Sequence, residues 1–149
     1  MTDETLAFRR NTATREHIRA HLQACDGRFV PSLGSRVDID TYAGKLANRA
    51  ASFEAWNGDL LVGLVAAYMN DRATGRGHVT NVSVAADHEG GGIASRLMRM
   101  CLEAARENGM SVMTIEVSAD TPRSMRLYTR FGFGEPVRDG RSVLLRLQL

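Results

Sequence analysis

An α/β (α+β) fold, a single domain over residues 1–149 with a mixed sheet of about seven strands and about four helices, is predicted by three features of the sequence. A strand ending at Val84 passes through three glycines, Gly90-Gly91-Gly92, into a stretch with apolar residues at 94, 97, 98, 101, 102 and 105, one face of a helix. Asn57-Gly58 parts two strand-like runs, the strongest short signal for a hairpin. Read from periodicity and turn signals, the full order is β-α-α-β-β-β-α-β-α-β-β.

Leu6 to Arg10 reads as a short first strand with Phe8 inward, and Thr14 offers an N-cap for a helix through about Cys25, ended by Asp26-Gly27. His17 and His21 stand four apart on that helix; with no third ligand in view, a solvated face is expected instead of a metal site. Phe29 to Arg36 is a loop with apolar residues, a proline and a glycine, expected to wall a pocket or cover a small satellite core. Asp38 or Asp40 caps a helix from about Thr41 to Ala51, with Leu46 and Ala50 inward. Ser52 to Trp56 and Leu60 to Met69 form the hairpin, and the long apolar second run predicts a strand covered on both faces. Arg76 to Val84 and Val112 to Ser118 are further strands. Thr121 is expected to cap a helix with Pro122 in its first turn, stopping at Phe131-Gly132. Glu135 to Val137 and Ser142 to Leu147, joined at Asp139-Gly140, close the chain.

The 149 residues, 44% hydrophobic, suffice for a core. A formal charge of +2 without blocks of like charge gives no reason to expect nucleic acid as a partner. Cys25 and Cys101 have no metal or redox spacing and read as buried thiols in a reducing compartment. No apolar run reaches membrane length, and Met1-Thr-Asp-Glu lacks the pattern of a signal peptide, so a cytoplasmic protein without membrane partners is expected.

A strand, a glycine turn and a helix N-terminus together make an anion site, since backbone N–H groups approach a phosphate closely and the helix dipole favours its charge. A Walker A loop is excluded because Lys45, the one lysine, lies far from the turn, and the spacing departs from a dinucleotide fingerprint.

Val84-Ala-Ala-Asp-His-Glu89-Gly-Gly-Gly-Ile-Ala94 resembles the acyl-CoA motif of the GNAT superfamily of N-acyltransferases, Arg/Gln-x-x-Gly-x-Gly/Ala after a strand. Gly92 and Ala94 match it, whereas Glu89 replaces the usual Arg or Gln. Downstream, Thr121-Pro-Arg-Ser124-Met-Arg-Leu127-Tyr128-Thr-Arg-Phe-Gly132-Phe133 is similar to that family's Asn-x-x-Ala-x-x-Leu-Tyr-x-x-x-Gly-Phe. The element order is the family's order as well.

The resemblance implies acetyl-CoA as cosubstrate, without a metal. Its diphosphate would lie on the backbone of Gly90, Gly91, Gly92, Ile93 and Ala94 with Ser95, beside Glu89. Its pantetheine arm would pair with Val82, Ser83 and Val84, and Thr121, Ser124 and Tyr128 would lie alongside. Tyr128 matches the family's proton donor, a phenol protonated at neutral pH. The base is open: Asn81 occupies a position where many relatives carry a catalytic glutamate, an amide cannot accept the proton, and Glu116 and Glu54 are alternatives. His78 and His88 are further imidazoles that flank the glycine turn. Phe29, Arg36, Glu54, Trp56 and Tyr68 are candidate acceptor-side residues. The expected activity is acetyl transfer to the primary amine of a small molecule, by a monomer or homodimer. A protein lysine or N-terminus is the alternative acceptor, and a non-catalytic acyl-CoA sensor the alternative class.

Overall fold

The amphipathic and two-sided apolar runs resolve into a seven-stranded sheet with helices on both faces. The computed structural model describes residues 5–29, 32–118, 120–140 and 142–149. Val30 and Pro31 of the expected pocket loop lie outside the described residues. The elements are β1 (Ala7–Arg10), α1 (Arg15–Cys25), α2 (Ile39–Arg49), β2 (Ala51–Asn57), β3 (Leu60–Asp71), β4 (Arg76–Val84), α3 (Ile93–Glu107), β5 (Val112–Ser118), α4 (Pro122–Arg130), β6 (Gly134–Asp139) and β7 (Ser142–Gln148). The sheet runs β1-β2-β3-β4-β5-β7-β6, as an α/β fold with about seven strands and four helices requires.

β3 explains why its sequence is apolar throughout: seven consecutive residues, Leu61 to Ala67, are buried because both faces of the strand are covered. On one face Phe53, Val65, Leu97, Met98, Cys101, Met113 and Leu145 share a core with α3. On the other, Ile18, Leu22, Leu46, Trp56, Leu64 and Ala66 form a second core under α1 and α2. Gly63 lets the first turn of α3 settle on β3, since a Cβ there would stand 2.7 Å from Ile93 Cγ2.

Helix starts follow the chemistry of orphan N–H groups. The Thr14 hydroxyl accepts from His17 N, His17 Nδ1 accepts from Thr14 N, and Asp38, not Asp40, accepts from Thr41 N at 3.2 Å. α2 consequently begins at Ile39, two residues earlier than its expected start. Thr121 does not cap α4 as expected; its hydroxyl donates to the Ser118 carbonyl at 2.8 Å.

The expectation for His17 and His21 is overturned. His17 is half-buried and meets Trp56 edge-on, with ring centroids 4.8 Å apart. His21 is 2% exposed, because the α1 turn that carries it lies directly over β4. Among the described residues, no group of His, Cys, Asp or Glu is placed to hold a metal, and no helix is long and apolar enough to cross a membrane.

β4 is the strand that shapes the site. It pairs antiparallel with β3 along its length, but a bulge falls where Ala66 faces Asn81 and Ala67 faces Val79, leaving Thr80 as the extra residue. Its parallel pairing with β5 covers only Arg76–Val79 against Val112–Ile115. Past the bulge the two strands part.

Candidate active site

The parting of β4 and β5 opens a cleft of about 750 Å³. Its β4 wall runs from His78 to Val84 and its β5 wall from Ile115 to Ser118. Phe29, Leu33, Arg36, Val37 and Tyr42 close it on the side of α1 and α2, and Thr121, Ser124 and Tyr128 close it from α4. Strand alternation sorts these groups. Val82 and Val84 pack toward the α3 core, while Asn81 and Ser83 face the opposite side, toward α1 and α2.

Beyond Val79, the edge of β4 turned toward β5 has no ladder partner there. Unpaired strand edges accept an extended chain by β-type hydrogen bonding. At the end of β4, Gly90 and Gly92 adopt φ of +82° and +79°, values that favour glycine. A Cβ added at either would meet nothing within 4 Å, so the space over the turn is open. Gly92, the N-cap of α3, has no side chain to cap the helix, which leaves the first-turn N–H groups available for an anion. The Ile93 side chain is buried against β3, so this residue contributes its backbone alone. A strand edge ending at an uncapped helix fits an amide-bearing arm followed by a diphosphate, the chemistry of coenzyme A.

Two titratable groups expected from the sequence lie in this cleft. Tyr128 is buried among apolar neighbours with its ring edge-on to Phe133, and burial raises its pKa well above that of an ordinary phenol. Among the described residues its hydroxyl has no hydrogen-bond partner, although the residue lines the cleft. Glu116 lines the β5 wall and is exposed. His78 also lines the cleft, with Nδ1 2.8 Å from Thr114 Oγ1; burial lowers its pKa, and nearby Glu116 opposes that shift.

Three of the expected acceptor-side residues lie elsewhere. Glu54 is fully buried on β2, where its carboxylate accepts from Thr12 N, Thr12 Oγ1, Ala13 N, Ser52 Oγ and Trp56 Nε1. Burial alone would raise its pKa, but bonds from Ser52, Thr12, Ala13 and Trp56 outweigh it and hold the group below its usual range. Glu54 is therefore a structural anion that ties the chain between β1 and α1 to the sheet, not a base. Trp56 belongs to the core under α1 and α2. Tyr68 is not part of the cleft wall; Lys45 lies over its ring, 5.6 Å from the centroid. Phe29 and Arg36 do line the cleft, as do Glu89, Val82, Ser83 and Val84, although the Ser83 hydroxyl points to the α1 side.

Tyr42 was not foreseen. Its hydroxyl donates to the Thr80 carbonyl at 3.0 Å, holding the bulge from the α2 side. The available signal was its spacing: Tyr42 precedes the inward Leu46 by four residues and shares its helix face. His21 is the second omission, and its reach to Ser83, 62 residues away, has no signature in local sequence.

Residues 15–133 match the Acetyltransferase (GNAT) family. The chain belongs to that family. Among individual relatives, rat N-acetyltransferase 8F1 is 34% identical over 102 residues, covering 66% of this chain and 46% of its own length. Arabidopsis thaliana N-alpha-acetyltransferase MAK3 is 33% identical over 82 residues, or 54% of this chain and 43% of its own length. The chain thus spans less than half the length of these two curated relatives. GNAT folds solved by crystallography superpose closely. Ribosomal-protein-alanine N-acetyltransferase from Brucella melitensis gives a TM-score of 0.74 at 21% identity, covering 96% of this chain and 99% of that one. The PaiA N-acetyltransferase from Thermoplasma acidophilum, in complex with coenzyme A, gives 0.74 at 9% identity, covering 97% and 99%.

Proposed function

We propose that this GNAT domain transfers an acetyl group from acetyl-CoA to a primary amine that enters from the α1–α2 side of the cleft. The observation that carries the reading is a cleft lined by an unpaired strand edge, a carboxylate (Glu116) and a protonated phenol (Tyr128), reaching Glu89 just before the uncapped start of α3. Acetyl-CoA supplies the activated acyl group. Backbone N–H groups from Gly90 to Ala94, with the Ser95 hydroxyl, hold the diphosphate, and the β4 edge from Val82 to Val84 aligns the arm and polarises the acyl oxygen. Thr121 and Ser124 flank it.

Glu116 accepts the proton of the incoming amine, directly or through water, in place of the amide at Asn81. Tyr128 donates a hydrogen bond to the departing sulfur. Because burial raises its pKa, it enters the reaction fully protonated and acts more as a hydrogen-bond donor than as a strong acid. Small free amines are the acceptors we propose. The N-terminus of a polypeptide is the second reading, favoured by the similarity to a plant N-alpha-acetyltransferase.

The test is incubation with acetyl-CoA and a panel of primary amines and peptides, following free thiol and acceptor mass together. Amine-dependent thiol release that falls in Glu116→Gln supports the proposal. Binding of acetyl-CoA without turnover on any acceptor would make the domain an acyl-CoA sensor instead.

A further inference from the structure

The sheet face that carries Glu116 is only half covered. α1 and α2 pack over β2, β3 and β4. On β5 and β7, alternation sends Met113, Ile115, Val117, Val143 and Leu145 into the α3 core. Val112, Thr114, Glu116, Leu144 and Arg146 therefore share the other face, and the ladders set Leu144 opposite both Glu116 and Val137 of β6. Val137 is 62% exposed and Leu144 38%, so both stand open to solvent.

A cavity of about 270 Å³ lies on this face, lined by Arg76, Val112, Thr114, Val137, Leu144 and Arg146. It adjoins the reaction cleft. Thr114 Oγ1 in its wall is 2.8 Å from His78 Nδ1 in the cleft wall, and Leu144 faces Glu116 across the β5–β7 ladder. The two arginines flank β5: Arg76 stands opposite Val112 from β4, and Arg146 opposite Thr114 from β7. Among the described residues neither guanidinium forms an ion pair. Two carboxylates share their surroundings. Asp71 feels the Arg76 charge but is exposed and accepts from Thr74 N at 3.2 Å, and Glu116 stands diagonally from Arg146. An apolar floor between two cations, with a carboxylate at its cleft end, complements a molecule that is cationic at one end, apolar along its length and anionic at the other.

Strand rise sets the spacing. Thr114 and Val112 lie two and four residues from Glu116, about 7 and 13 Å along β5. We propose that this cavity is the far half of the acceptor site, where Arg76 and Arg146 receive a carboxylate carried about 7–13 Å from the reacting amine. The substrate class is then a primary amine joined through an apolar spacer to a carboxylate. This narrows the acceptor of the acetyltransferase reading, on which it rests. Arg76 and Arg146 are specificity residues, since they meet the far end of the acceptor and not the reacting atoms.

The experiment measures kcat/KM with acetyl-CoA for ε-aminocaproate and for ε-aminocaproamide, its neutral isostere, beside the wider amine panel. Wild type should favour the carboxylate, and the preference should shrink as salt is added. Arg146→Gln and Arg76→Gln should each lower the carboxylate-to-amide ratio by about 3–10-fold, between the worth of an exposed ion pair and that of a charged hydrogen bond. Any effect of either change on Glu116 acts on both amines and cancels in the ratio. Val137→Glu, at an exposed position, adds a like charge to the cavity and should lower the ratio as well, with circular dichroism checking each variant's fold. A wild-type ratio of one or less, or a ratio unchanged in either arginine variant, would overturn the inference. So would acetylation of other amines but of neither probe, which leaves the acetyltransferase reading intact. No acetylation of any amine would overturn that reading and the inference with it. Sedimentation identifies the competing occupant: a dimer split by Val137→Glu, with the ratio unchanged in the arginine variants, would assign this face to a second copy of the chain.

Discussion

Replacing Glu54 with Gln keeps the side-chain outline and removes its charge, which separates a structural anion from a catalytic one. The carboxylate accepts from Thr12 N at 3.0 Å, Ala13 N at 3.0 Å and Trp56 Nε1 at 3.0 Å, and from the Thr12 and Ser52 hydroxyls. The hydroxyls can rotate to become acceptors, but the two backbone N–H groups and the indole N–H cannot. Both backbone donors share Oε2, so a Gln oxygen placed there keeps them, and its NH₂ then faces Trp56 Nε1–H, which bonds Oε1. At about 1–3 kcal/mol for a buried donor left unpaired, the loss is roughly 1–3 kcal/mol. For a chain of this size about 1 kcal/mol corresponds to roughly 2–4 °C, so Tm should fall by roughly 3–12 °C. Thermal unfolding followed by circular dichroism reads this directly, with turnover measured well below the transition. A Tm within about 2 °C of wild type, together with lost turnover, would refute the reasoning and return Glu54 to the chemistry.

Tyr128→Phe should lower kcat by about 10²-fold, the low end for a positioned acid because the phenol's pKa is raised, with acetyl-CoA affinity unchanged by calorimetry. Glu89 lines the cleft near the helix start, where its charge would face the diphosphate of acetyl-CoA. Glu89→Gln should therefore tighten acetyl-CoA binding about five-fold at low salt, roughly 1 kcal/mol after screening, and the gain should shrink as salt is added. Stability should fall with acid in two steps. His21 has a folded pKa of about 4 against an ordinary 6.5, so the unfolded chain binds the extra proton and stability is lost as pH falls from 6.5 toward 4. The limit of that loss is about 3 kcal/mol. Glu54, whose folded pKa is lowered, stabilises above its ordinary 4.5 and loses that contribution only below it. Urea titrations across pH should show the upper step disappear in His21→Gln.

Much of the fold was legible because its signals are local. Asn57-Gly58 set the β2–β3 turn, the apolar run from Leu61 to Ala67 announced a two-sided strand, and the period of α3 gave its buried face. The glycine turn and Tyr128 were legible as motifs. The acceptor side was not, since it depends on contacts distant in sequence. Glu54 meets Thr12 42 residues away, and nothing in the strand's own residues reveals that Ser52 to Trp56 are all buried with the carboxylate fully bonded inside. Asn81 invited comparison with a missing glutamate. Its surroundings depend on a bulge at Thr80 and on α1 crossing β4, neither of which leaves a mark in the strand's own residues.

The most direct test of the central claim, that the parted strands and the glycine turn together hold acetyl-CoA, is amide hydrogen exchange with and without the ligand. Slowed exchange should appear in two separate segments, residues 80–84 on β4 and residues 90–95 at the start of α3, with β1 and β2 unaffected. Protection absent from both segments at a saturating concentration of acetyl-CoA, or confined to β6 and β7, would contradict it.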